Sequence, residues 1–120
     1  MDLVDENRII VIEGLKRLNK TNNLGLKELI YQLNWNKEIS VYTIGFIIGP
    51  VINATGRLYT ANLAVELLLE DDPSLIVEYA RELIALNNDR KNITKEALDQ
   101  ALEMLEESEL YKDDIIFLYM

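Results

Sequence analysis

The residues with the clearest chemical potential lie in one glycine-rich stretch, Ile44–Leu58. It holds three of the five glycines and one of the two prolines of the chain. It also holds Asn53 and Arg57, and Arg57 is the only basic residue between Lys37 and Arg81. A guanidinium can bind phosphate oxygens through two parallel hydrogen bonds. The pair could therefore contact a phosphate, or it could satisfy backbone carbonyls at a packed joint between helices.

The composition of this stretch predicts an interrupted helix. Glycine costs about 1 kcal/mol and proline about 3 kcal/mol inside a helix. A helix is expected to begin at Val41 after an N-cap at Ser40, with Pro50 early in a second piece or at a kink. Gly56 is expected to leave the helix in the left-handed conformation. Glycines among large apolar residues also let another backbone or a ligand approach closely.

The same stretch carries a family resemblance. Gly49–Leu58, GPVINATGRL, resembles the G-P-R-I-N-A-A-G-R-L signature of the RecJ-type single-stranded-DNA exonucleases, in the DHH phosphoesterase superfamily. Val51 stands where that family has Arg, and Thr55 where it has Ala. Further segments resemble the family in the same order along the chain: Glu6–Arg8 with Glu13–Lys16, Ala64–Leu68, and Leu86–Asn87 with Arg90.

The resemblance implies a piece of a larger enzyme. Residues 1–112 would be the helical connector between the catalytic DHH domain and its associated domain, and residues 113–120 the first strand of that following domain. The family uses Mn²⁺ or Mg²⁺ to hydrolyse single-stranded DNA from the 5′ end, in DNA repair and recombination. Asn53 and Arg57 become candidates for DNA phosphate contacts, with Asn87 and Arg90 as supporting residues behind them. Val51 leaves one such contact in doubt.

Composition limits what the chain can do alone. There is no histidine and no cysteine among its 120 residues. Histidine-based acid–base catalysis, thiolate chemistry and the D-H-H motif are therefore excluded, and no cluster of carboxylates suggests a metal site. We expect neither a catalytic residue nor a metal ligand in this chain, and no nuclease activity from it alone.

Charge is distributed unevenly. Residues 1–60 carry seven basic and six acidic side chains, whereas residues 61–120 carry five basic and fifteen acidic ones. Because non-specific nucleic-acid binding is largely electrostatic, the isolated chain should bind DNA weakly or not at all. No apolar run is long enough to span a bilayer and no export signal opens the chain, so the expected location is the cytoplasm.

Apolar periodicity and capping residues predict an all-α helical bundle. The first helix is expected at about Glu6–Asn19 with Asp5 as N-cap, and the second at Leu26–Trp35. Trp35 is interpreted as a packing anchor rather than a platform for DNA bases. A short helix from about Thr60 to Glu70 is apolar all round, which predicts burial on more than one side.

A long C-terminal helix is expected from Pro73 to about Ser108, with Asp72 as N-cap, although two helices joined near residues 87–92 would also fit. Its inner stripe includes Ile76, Ala80 and Leu83 and then reaches Asn87 and Arg90. Polar groups on an inner stripe need partners, so these two residues either dock onto the glycine-rich stretch or mark a solvated kink.

The chain ends in an apolar run that predicts one β-strand belonging to a missing domain. An unpaired strand tends to associate with another edge, so residues 114–119 are expected either to cause self-association or to be disordered. A different reading of the whole chain is a non-catalytic acidic helical module that binds a protein partner through residues 60–70 and this strand. A third reading is a DHH-type phosphodiesterase acting on small nucleotides.

Overall fold

A computed structural model describes residues 2–58 and 62–108 of the chain. All regular structure in these residues is helical, and none of them forms a strand. The elements are α1 Asp5–Asn19, α2 Leu24–Gln32, α3 Val41–Thr43, a π-helical turn Ile44–Ile48, α4 Gly49–Ile52, α5 Thr55–Leu58, α6 Asn62–Leu69 and α7 Pro73–Ser108. The predicted all-α class is therefore confirmed, whereas the predicted terminal strand lies outside the described residues.

The first two helices were predicted, with errors at their starts. α1 begins at Asp5 itself, and the preceding Val4 is extended and offers no capping side chain, so the predicted cap at Asp5 is wrong. α2 begins two residues early because the Asn23 side chain accepts the Leu26 N–H at 2.9 Å. It ends three residues early, before Asn34 takes a positive φ of 53°.

The chain divides into two compact units after Asn87. The core of the first unit is formed by buried apolar side chains from α2, the segment before α3, the glycine-rich stretch, α6 and the first half of α7. Its members are Leu29, Ile39, Ile48, Val51, Ala64, Leu67, Ile76, Ala80 and Leu83. Trp35 is partly buried and packs against this core, as expected for a packing anchor.

Gly25 lies where α2 passes α6. A methyl group on Gly25 would overlap the carbonyl oxygen of Leu67 and lie 2.8 Å from its carbonyl carbon. The two helix backbones therefore approach each other at a point that only glycine permits. Asn23 strengthens the same joint, because its side-chain amide donates to the Leu68 carbonyl at 2.8 Å.

α6 does not bury its whole circumference. Ala64 and Leu67 are buried, whereas Val65 and Leu69, four residues apart, are largely exposed. The expectation of burial on more than one side is wrong here. An apolar composition permits such burial, but only the arrangement of neighbouring helices provides it.

α7 is one helix of 36 residues, so the alternative of two shorter helices is wrong. Its start is capped as predicted, since an Asp72 carboxylate oxygen accepts the Ser74 N–H at 2.8 Å. Residues 73–87 belong to the first unit and residues 88–108 to the second. No helix in the described residues is long and apolar enough to cross a membrane.

Candidate functional site

The glycine-rich stretch begins with a capping box. The Ser40 side chain accepts the Thr43 N–H at 3.4 Å, and the Thr43 hydroxyl accepts the Ser40 N–H at 3.0 Å. Because Thr43 is completely buried, this reciprocal pair also fixes the helix start against the core. The predicted N-cap at Ser40 is confirmed.

The helix then widens into a π turn before Pro50. On an α-helical path the proline ring would meet the carbonyl of Phe46, four residues earlier. In the structure, the Gly49 N–H bonds the carbonyl of Ile44, five residues back. A methyl group on Gly49 would lie 2.6 Å from that same oxygen, so the turn requires glycine at this position. Pro50 then lies in the first turn of α4, as predicted.

Asn53 lies in the turn between α4 and α5. Its N–H donates to the Gly49 carbonyl at 2.9 Å, and its own carbonyl accepts the Gly56 N–H at 3.2 Å. The Asn53 side chain is exposed, whereas the next two residues, Ala54 and Thr55, are buried. The stretch thus presents the Asn53 side chain to solvent from a backbone that the core holds in place.

The position of Val51 clarifies the departure from the family signature. Val51 is 1% exposed and belongs to the core of the first unit. A charged arginine side chain at that depth would need a partner or a path to water. In this chain, position 51 packs and does not reach a ligand.

The other candidate residues are placed as follows. Arg57 is the third residue of α5, whose side chains at positions 57 and 58 are not described. Gly56 also lies in α5 and has no positive φ, so its predicted left-handed exit is wrong. Asn87 is buried in the first unit, and Arg90 is partly buried in the second. Docking of Asn87 and Arg90 onto the stretch stays a prediction.

Negative charge gathers around the start of α7. Partial burial raises the pKa of Tyr79, and the surrounding carboxylates raise it further; they belong to Glu66, Glu70, Glu78 and Asp72. A phosphate backbone would be repelled from this surface, which leaves the glycine-rich stretch as the better candidate. The described residues hold no group of three or more acidic, histidine or cysteine side chains able to bind a metal ion.

Sequence reasoning missed two features near this site. Asn19 was read only as a helix end, yet its side chain bonds both the N–H and the carbonyl of Ile39, at 2.8 and 2.9 Å. Tyr42 and Phe46 stack on each other with ring centroids 4.8 Å apart. Their four-residue spacing on a helix was the available signal for the aromatic pair.

No family model matches the chain. It is nevertheless 41% identical, over 95% of its length, to the single-stranded-DNA-specific exonuclease RecJ of Bacillus subtilis, and 33% identical, over 91%, to that of Escherichia coli. The crystal structure of RecJ from Thermus thermophilus in complex with Mg²⁺ matches 83% of the chain with 32% identity and a TM-score of 0.74. The chain is a RecJ-type segment. It spans 15% and 19% of the two curated RecJ proteins and 16% of the crystallised chain.

This RecJ-type segment therefore shares both sequence and fold with one region of much longer proteins. The TM-score measures agreement of the backbone path, so most of the chain follows a backbone path similar to that of the Thermus protein. The Mg²⁺ belongs to the Thermus protein. In our segment, the described residues provide a packed helical support and an exposed turn.

Proposed function

We propose that this segment is the helical connector of a single-stranded-DNA-specific exonuclease, lying between its catalytic and associated domains. Its task is to hold Asn53 and Arg57 in the groove that receives the DNA strand. The observation that carries the proposal is the exposed Asn53 turn between the buried residues Val51 and Ala54, inside the signature shared with RecJ-type proteins.

The chemistry of the site suits a phosphodiester backbone. The Asn53 amide can donate to a phosphate oxygen, and a guanidinium at Arg57 can bind two oxygens at once. Such contacts fix the position of a strand without reading its bases. Asn87 and Arg90 are proposed as supporting residues only. The location that fits this activity is the cytoplasm.

Hydrolysis itself is assigned to other parts of the longer protein. The divalent ion, Mn²⁺ or Mg²⁺, would be held there, because the residues described here offer no ligand cluster. In such a site the ions activate water and stabilise the leaving oxygen. The contribution of this segment is to position the strand.

The decisive experiment compares Arg57→Ala with Arg81→Ala in the complete RecJ-type protein. Arg81 is an exposed arginine on α7 and serves as the matched control. Arg57→Ala should weaken DNA binding or turnover by about 1–3 kcal/mol, the cost of losing a charged hydrogen-bonding contact. Arg81→Ala should leave both unchanged. Asn53→Ala should have a smaller effect in the same direction, because a neutral hydrogen bond contributes less.

Melting of the 120-residue chain distinguishes a role of Arg57 in phosphate binding from a role in stabilising the fold. If Arg57→Ala lowers the melting temperature strongly while the degradation kinetics of the complete protein stay unchanged, Arg57 is a structural tie and the proposal fails.

A second candidate is the acidic protein-interaction module. The observation that favours it is the exposure of Val65 and Leu69 on one face of α6. Changing both residues to Ser should then abolish binding to the protein partner without changing DNA degradation. Loss of degradation in that variant, with folding intact, would argue for the exonuclease instead.

A further inference from the structure

Two exposed aromatic rings stand on the surface of the glycine-rich stretch. Tyr42 is 60% exposed and Phe46 is 68% exposed, although their ring planes lie within 27° of each other and stack. Aromatic side chains normally bury most of their area. Here each ring covers one face of the other, and the high exposure of both means that the outer faces are open to solvent.

The ring pair and Asn53 are exposed residues of one short segment, and Asn53 follows Phe46 by seven residues, about two turns of a helix. Thr43, Ile48 and Val51 are buried and form the inner side. Val41, Ile44 and Gly45 are exposed together with Tyr42 and Phe46. The five-residue step from Thr43 to Ile48 is produced by the π turn, which keeps the inner residues aligned past Pro50.

No fully exposed residue separates the rings from Asn53, because residues 47–52 are all half-buried or buried. Seven residues from Phe46 to Asn53 correspond to a rise of about 10 Å along a helix. That distance is about three stacked nucleotides at about 3.4 Å each.

The sequence carries no charged residue between the start of α3 and Arg57. From Val41 to Gly56 there is no acidic or basic residue. Phosphates therefore gain nothing from Tyr42 and Phe46, whereas the flat face of a base does, since stacking on an aromatic ring is independent of base identity. An uncharged aromatic pair can therefore contact a base while the Asn53 amide contacts a phosphate of the same strand.

We propose that Tyr42 and Phe46 form a stacking platform for a nucleobase of the single-stranded DNA. This base lies about three nucleotides from the phosphate that Asn53 contacts. This inference rests on the proposed function and adds the base contact to the phosphate contact. Because each contact recognises a different part of a nucleotide, the two can be tested separately. Preference for one base over another is not expected.

The experiment measures binding of two oligomers to the complete RecJ-type protein in the absence of divalent ions, so that no cleavage occurs. One oligomer is oligothymidylate, and the other is an abasic strand of equal length with the same phosphates. The wild-type protein should bind oligothymidylate more tightly. The double variant Tyr42→Ala/Phe46→Ala should lose at least about fivefold in affinity for oligothymidylate and almost nothing for the abasic strand.

Two further variants serve as controls. Tyr31→Ala removes a comparably exposed aromatic side chain from α2 and should leave both affinities unchanged. Phe46→Trp keeps an aromatic face and should preserve the preference for bases, with quenching of its fluorescence on binding. Both aromatic side chains are exposed, so circular dichroism of the double variant should match that of the wild type.

The outcomes separate this inference from the proposed function. Arg57→Ala should weaken binding of both oligomers equally, because both carry phosphates; if it does not, the phosphate contact fails. If the wild type shows no preference for oligothymidylate, or the double variant keeps that preference, the stacking platform is refuted. The stacking platform is also refuted if the double variant weakens binding of both oligomers equally, or if it changes only the association state in sedimentation.

Discussion

Replacing Gly25 by alanine tests the closest helix–helix approach in the first unit. The added methyl group would overlap the Leu67 carbonyl oxygen, and it would also lie 3.1 Å from the Leu67 Cγ atom. Leu67 is buried, and its carbonyl belongs to the backbone of α6, so neither can rotate away. The substitution must therefore push α2 and α6 apart.

The expected cost combines two opposing effects. Overpacking a core costs about 1–3 kcal/mol, and a clash with backbone belongs at the upper end of that range. Alanine in place of glycine in a helix recovers about 1 kcal/mol. We therefore expect Gly25→Ala to lower the free energy of unfolding by about 2 kcal/mol, which corresponds to about 8 °C in melting temperature for a chain of this size.

Gly14→Ala is the matched control. Gly14 lies in α1, and a methyl group there would meet nothing within 4 Å. Only the gain in helix propensity applies, so this variant should raise the free energy of unfolding by about 0.5–1 kcal/mol. Urea unfolding followed by far-ultraviolet circular dichroism measures both variants. Equal stabilisation by the two substitutions would show that α2 and α6 do not approach as described.

Substitutions at three other residues probe hydrogen bonds. Asn19→Ala should lower the free energy of unfolding by about 1–3 kcal/mol in urea titrations, because it leaves both buried backbone groups of Ile39 without partners; Asn19→Asp, which keeps the acceptor, should cost less. Ser40→Ala should cost about 1 kcal/mol by the same measurement, through loss of the capping box. The hydrogen bond from Lys16 lowers the pKa of Glu13, so Lys16→Ala should raise that pKa in a carboxyl NMR titration. In the wild type this small contribution to stability is present above the ordinary pKa of glutamate and is lost as the pH falls through the lowered one; an unchanged pKa in the variant would contradict the pairing.

The sequence by itself determined much of the local structure. The caps at Ser40 and Asp72 were readable because a short polar side chain before a helix satisfies its first N–H groups. The interruption around Pro50 followed from the missing N–H and the ring of proline. The resemblance carried by GPVINATGRL indicates the RecJ-type family from the residues alone.

Helix boundaries were less predictable where a group distant in sequence determines them. Asn23 caps α2 and also bonds the Leu68 carbonyl, 45 residues away. Gln32, in the last turn of α2, bonds the Val77 carbonyl of α7. Asn19 owes its role to Ile39, which follows another helix. No local pattern identifies such partners, because they meet only once the helices have packed.

Only the tertiary structure decided which apolar and small residues face the core. The sequence marks α6 as apolar all round, yet packing buries Leu67 and leaves Leu69 exposed. The sequence does not show which of its five glycines the fold requires. The structure shows that positions 25 and 49 require glycine, because a Cβ atom there would lie too close to backbone atoms. The sequence places Tyr42 and Phe46 in an apolar run, yet both rings are exposed. Periodicity fixes which residues share a helix face, whereas burial depends on what the rest of the chain places against that face.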